Sequence, residues 1–240
     1  MGTNQTGKRF YQVKVKSLDT TSIKELGRLM KPLQMQAFRK TYGKILELTI
    51  AEVSIEAIAS LTQYYDQPLR EILGCPLGGK KTISFIRVSP LFEQKLHKDS
   101  ARGDWVPFMD VLALLIFGVV LFPNVDGLVD LAAIDAFLAY HHSKESPVVA
   151  VLVDLIDTFD RRCEKSSAQI ICCLPALCVW LVSHLFQQDT RHPCPLLSHR
   201  SCTEKRRIDW DQLLAGIGGR TINWFPRWKE GKEGVLFSCG

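Results

Sequence analysis

Four residues of zinc-ligand type, His192, Cys194, His199 and Cys202, fall within eleven positions, and imidazole and thiolate are the donors that close a tetrahedral zinc site. Their gaps of one, four and two residues do not match a paired knuckle, and Pro193 and Pro195 stiffen the first pair. They stand as the metal candidates, with surface-loop residues as the expected role. Gly74 to Lys81, GCPLGGKK, comes within one residue of a phosphate-cradling loop, which needs Gly, four residues, then Gly-Lys-Ser/Thr. Lys81 stands where a hydroxyl should hold magnesium, Pro76 removes a backbone donor, and the following segment is strand-like, so a linker is expected. Asp126, Asp130 and Asp135, then Asp154, Asp157 and Asp160, place carboxylates on shared helix faces. No histidine, serine nucleophile or phosphate loop is placed in sequence to work with them, and solvated helix faces carry such patterns routinely. Lys144 is the only lysine between positions 104 and 160 and falls in a turn, so no lysine has the setting of a cofactor base. No catalytic residue and no cofactor are expected.

Two further motifs concern partners. Trp224 to Lys229, WFPRWK, interleaves aromatic and basic side chains as a single-strand nucleic-acid platform does, although core anchoring is the commoner use. Met1-Gly2 with Thr6 fits an N-myristoylation pattern at Gly2, and Lys8-Arg9 would supply the second, electrostatic attachment. The net charge of +5 is unevenly spread. Positions 1–50 hold ten Lys/Arg against three acids, 104–160 hold nine acids against Lys144, and 161–240 hold twelve basic against seven acidic residues. A polyanion would therefore meet the ends before the middle, but the balance is too small to argue for nucleic acid by itself.

The elements that must position these residues follow from periodicity. With 46% hydrophobic and 23% charged residues, the chain has a globular composition. Residues 9–16 alternate as a strand, with no evident partner. Ser22 and Glu25 form a capping box opening a helix that stops before Pro32, and a second helix runs from Pro32 towards Tyr42. Helical spacing continues over 44–65, so the first 70 residues read as mostly helical. From Gly74 to Arg102 the pattern dissolves, apart from a strand-like island at Thr82 to Val88.

Two apolar runs follow, Val106 to Pro123 and Ala168 to Phe186. The second would extend about 28 Å as a helix, against a hydrocarbon thickness of about 30 Å. Asp110 interrupts the first run, and Pro175 is expected to kink the second. Between them lie predicted helices at Asp126 to Tyr140 and Pro147 to Glu164. The latter carries a Val148, Leu152, Leu155, Phe159 stripe and an Asp157–Arg161 ion pair. His141 and His142 fall at a helix C-terminus, where capping is their expected role. Cys172, Cys173 and Cys178 sit within the apolar run as small buried hydrophobes, and the N-terminus lacks a secretory apolar region. A reduced, intracellular setting is expected.

Four strings carry a resemblance: TYGKILELTIAEVSIEAIASLTQYYDQPLR, WVPFMDVLALLIFGVVLFPNVDGLVDLAAIDAFLAYHHSKESPVVAVLVD, CEKSSAQIICCLPALCVWLVSHLF and TINWFPRWKEG. Together they resemble an uncharacterised plant domain-of-unknown-function family similar to the plant mobile domain, a retroelement-associated, aminotransferase-like group. The resemblance runs from about residue 22 onward. It implies an α-rich domain without established catalytic residues, acting through protein partners in transposon silencing and genome maintenance. This copy departs from the pattern: an aromatic-rich segment is expected after Arg70, another stretch is missing between Val88 and Phe92, and relatives continue beyond Gly240. Internal deletion and C-terminal truncation are the resulting expectation.

The combined expectation is a mainly α, irregular multi-helix domain with one or two short strand-like segments. Positions 1–73 are expected to form a basic helical part, 74–103 a linker or deletion junction, and 104–240 a central helical core and tail, either separate from 1–73 or one incomplete domain with it. The expected function is a transposon-derived, non-catalytic protein-interaction module of the nucleus or cytoplasm. Its alternatives are membrane association, through 168–186 or an N-myristoylated Gly2, and nucleic-acid binding.

Overall fold

Helix starts in this chain are fixed by residues that either satisfy or dispense with a backbone donor. The computed structural model describes residues 13–51, 53–64, 85–87, 90–124, 128–165, 167–185 and 206–216. Helix α1 (Thr21–Arg28) begins where the Thr21 N–H donates to Asp19 Oδ1 at 3.0 Å. The expected Ser22 capping box is thus displaced, because Asp19 reaches the first free amide before Ser22 can. Helix α2 (Pro32–Tyr42) opens on proline, whose missing N–H costs nothing there, and closes at Gly43, whose φ of 65° suits a residue without Cβ. The helical pattern over 44–65 is broken: a 3-10 turn (Ile45–Ile50) precedes α3 (Ile55–Tyr64).

Within the stretch 74–103, strand β1 (Phe85–Arg87) and helix α4 (Pro90–Arg102) are formed. Helix α4 buries Leu96 completely and holds the buried Asp99 against Lys95 Nζ at 2.8 Å. Helix α5 (Trp105–Ile116) then runs without interruption into a π-turn, Phe117–Leu121, closed by the Phe122 N–H donating to the Phe117 carbonyl at 2.9 Å. Pro107 falls in the first turn of α5, where its lack of N–H is harmless. The run is apolar nearly all round because it is covered nearly all round: α1, α2, the 3-10 turn, α4 and α6 pack on α5.

The helix expected to start at Asp126 instead begins at Leu131. Strand β2 (Leu128–Asp130) pairs antiparallel with β1, Ile86 opposite Val129, before α6 (Leu131–Ser143) begins. Asp130 makes the switch, its extended backbone serving as N-cap while its carboxylate accepts from the Ala132 N–H. Gly118 explains why the strand fits here: a Cβ at that position would stand 2.5 Å from Val129 Cγ2.

Helix α7 (Val148–Glu164) has the expected span but a different buried side. Val151, Ile156, Phe159 and Arg162 are buried, while Leu152 is 45% exposed, so the anticipated stripe holds only at its C-terminal end. The run from Ala168 is not one helix. Ile170 forms a parallel bridge with Val15, giving the N-terminal strand a partner, and α8 (Leu174–Leu185) starts four residues later. Pro175 therefore sits in a first turn and kinks nothing. Among the described residues, no helix is long and apolar enough to cross a membrane. Helix α9 (Arg207–Ala215) packs against α3.

The fold is mainly α and encloses two apolar cores. One surrounds α5 and its π-turn, with Ile23, Phe38, Tyr42, Leu96 and Phe137 converging on Phe108, Leu112 and Phe117. The other joins Ile58 of α3, Phe159 of α7, Leu177 and Leu181 of α8, and Trp210 of α9.

Candidate functional site

Asp110 is the charge that interrupts the first apolar run, and tertiary packing gives it two partners that lie far off in sequence. Tyr42, the last residue of α2, donates its hydroxyl to Asp110 Oδ1 at 2.6 Å. From the end of α6, His141 Nε2 lies 3.7 Å from Asp110 Oδ2, an ion pair only while the imidazole is protonated. Both partners sit in an aromatic cluster. The His141 ring stacks on Phe137 (5.7 Å, 30°) and Tyr42 (6.4 Å, 25°), and Phe117 meets Phe137 edge-on. Tyr140 donates to the Thr41 carbonyl at 2.9 Å, and Lys144 Nζ lies 5.5 Å above its ring.

A phenol, a carboxylate and an imidazole in contact are the raw materials of acid–base chemistry, so their order decides what they can do. In a nucleophile–base–acid triad the imidazole stands between the nucleophile and the carboxylate. Here the carboxylate stands in the middle, and the Tyr42 hydroxyl is spent on it. Burial, reinforced by the Asp110 hydrogen bond and charge, drives the Tyr42 phenol far above its ordinary range, so it stays protonated at neutral pH. Tyr42 itself is only 1% exposed. The cluster joins α2, α5 and α6 as a clamp, and its geometry does not activate a nucleophile.

The buried thiols are similarly quiet. Burial is the first cause raising Cys172 and Cys173, the latter to about 12, which suppresses the thiolate needed for nucleophilic or metal-binding work. Neither Cys172 nor Cys173 is in a disulfide. Among the described aspartates, Asp130 caps α6, Asp157 pairs with Arg161 at 3.1 Å and Asp135 lies exposed, while Asp126 lies outside the described residues. Among the described residues no group of three His, Cys, Asp or Glu side chains is arranged to hold a metal ion. His192, Cys194, His199 and Cys202 lie outside the described residues, as do Gly2, the Gly74–Lys81 loop and Trp224–Lys229.

A cleft of about 310 Å³ opens between α1, α2 and the 3-10 turn. Met30, Met35 and Leu46 contribute apolar walls, and Lys24, Arg28 and Lys44 stand around it. Neither this cleft nor the Tyr42–Asp110–His141 clamp was evident from sequence. The one legible sign of the clamp was a lone aspartate in an otherwise apolar helix, which gains from a partner where water is partly excluded.

The fold and this clamp define a mainly α-helical domain whose central helix is tied to its neighbours by a partly buried polar contact. The chain belongs to the domain-of-unknown-function family DUF7745, which it matches over residues 23–73 and 80–240. No curated protein and no solved structure matches it.

Proposed function

We propose that this domain is a non-catalytic protein-interaction module acting inside the cell, in the nucleus or cytoplasm, and of transposon-derived origin. The observation that carries the interaction reading is the start of α7. Val149, Leu152 and Val153 are 69%, 45% and 37% exposed there, and their i, i+3, i+4 spacing puts them on one face. Three neighbouring apolar side chains left in water are costly unless a partner covers them, and small apolar clusters of this kind anchor interfaces. The buried Tyr42 phenol and buried thiols support the absence of catalysis, since neither offers an activated nucleophile. Cys172 and Cys173, neither in a disulfide, agree with a reducing compartment. The resemblance to plant mobile domain proteins supports the origin.

The test is cross-linking of the tagged full chain in cells, read by mass spectrometry, beside a Val149→Glu, Leu152→Glu variant. Both positions are exposed, so the variant should keep the wild-type circular dichroism and melting curve. Specific cross-links from α7 should vanish in the variant. An unchanged partner set would overturn the assignment of this face.

A further inference from the structure

We infer that the cleft between α1, α2 and the 3-10 turn is a docking site for an acidic peptide segment bearing an apolar anchor side chain. The inference rests on the interaction-module reading and assigns a second surface with a stated chemistry. Three features of the cleft select this occupant.

The first is charge. Lys24 and Arg28 are four residues apart on α1 and so share a face, and Lys44 approaches from the segment that follows α2. Among the described residues of the lining the one carboxylate, Glu47, is already paired with Arg39 at 2.8 Å. Outside the cleft, Asp19 interacts with Lys24. The surplus is positive, and a partner acidic at several positions along its length would complement it.

The second feature is the wall chemistry. Met30 and Met35 are flexible and polarizable, suited to an apolar side chain of no fixed shape, and Ile50, 64% exposed, extends that surface at the rim. A volume of about 310 Å³ accommodates one or two side chains, not a folded domain. The third is the lining itself: among the described residues around the cleft none is aromatic. Single-stranded nucleic acid is gripped by stacking bases on aromatic rings, so an acidic peptide fits this surface and an oligonucleotide does not.

The cleft is also built in. Gly43 lies in its lining and turns the chain at the end of α2 with φ of 65°, so that Lys44 and the 3-10 turn come back towards α1. Gly27 lets Leu46 close against α1, since a Cβ there would meet Leu46 Cδ2 at 3.1 Å.

The experiment uses the full chain and a fluorescein-labelled peptide of glutamates flanking one central leucine, followed by anisotropy at two salt concentrations. Saturable, salt-sensitive binding is expected, weakened about tenfold by Arg28→Glu with Lys44→Glu, as two exposed ion pairs would give. Replacing the peptide's leucine by serine, or introducing Ile50→Asp, should also weaken binding. Oligothymidylate of matching charge should bind less tightly. The three altered protein sites are exposed, and circular dichroism checks that each variant is folded. No binding, binding indifferent to the charge reversals, or a preference for oligothymidylate would each overturn the inference. If the peptide fails while the α7 variant still loses its cross-links, only the cleft assignment falls. If both fail, the module reading falls with it.

Discussion

The core around α5 draws most of its residues from two blocks of chain, 23–48 and 96–151, wrapped on one continuous helix. The core around α8 gathers its residues from five separated places: the arm at Val13 and Val15, α3, the end of α7, the segment from Ile170 to Leu181, and Trp210. The first is dense in aromatic contacts. In the second, closing the core requires chain ends nearly two hundred positions apart to meet, and each such closure costs entropy that few residues repay. The difference teaches that one fold can contain units of unequal persistence, and the α8 core is expected to open before the α5 core.

The largest expected effect separates the two directly. Phe117→Ala and Trp210→Ala each remove a fully buried aromatic, worth about 3–5 kcal/mol by deletion. In native-state hydrogen exchange, Phe117→Ala should lower protection throughout, including α5 amides. Trp210→Ala should lower it in α3, α8 and α9 and leave α5 protected. Equal spreading of both losses would erase the distinction between the cores.

A smaller effect tests how tightly the first core is fitted. Gly118→Ala forces a Cβ into Val129 and should cost about 1–3 kcal/mol, as overpacking does. Val129→Ala in the same chain should recover part of that loss, a coupling read from denaturant melts of the double-mutant cycle.

The adjacent thiols offer a third comparison, because Cys173 faces the first core and Cys172 the second. Burial raises Cys173 from an ordinary 9.0 to about 12, and Cys172 and Tyr42 shift the same way. Above pH 9 for the two thiols, and above pH 10 for Tyr42, the unfolded chain releases these protons while the folded chain keeps them. Stability is therefore fully present below pH 9 and is lost as pH rises towards 12, with a limiting slope of about 1.4 kcal/mol per pH unit for each group. Alkaline melts of Cys172→Ala should retain more of the second core, followed by exchange in α8. Melts of Cys173→Ala should retain more of the first. Stability flat from pH 7 to 11 would contradict the burial of both.

The smallest effect lies on the surface joining the cores. The Asp157–Arg161 pair is about half exposed on both sides, so Asp157→Asn should change stability by less than about 0.5 kcal/mol. A larger shift in a thermal melt would mean that α7 couples the cores through charge, in addition to its buried Val151 and Phe159.

Much of the fold was legible because it rests on local rules. Pro32 opening α2, the span of α7, the buried cysteines and the helix near 210 all follow from periodicity, proline chemistry and thiol burial. The candidate sites were not legible, since each is an encounter. Nothing in the sequence places Tyr42 beside Asp110, 68 positions away, or turns Lys44 towards Arg28. The errors have the same origin. Leu128–Asp130 reads as helix until β1 offers its backbone, and Ala168–Phe186 reads as one helix until Val15 claims Ile170.

By itself, the sequence determined the helix-rich composition, the punctuation by Pro, Gly and Asp, and the family to which the chain belongs, because these depend on residue identity and short spacing. Tertiary structure alone decided which apolar faces were covered and which were left on α7. It also decided that a lone aspartate became a clamp, and that four basic residues came to rim a cleft. Those outcomes depend on which segments meet, and burial and charge are properties of the meeting.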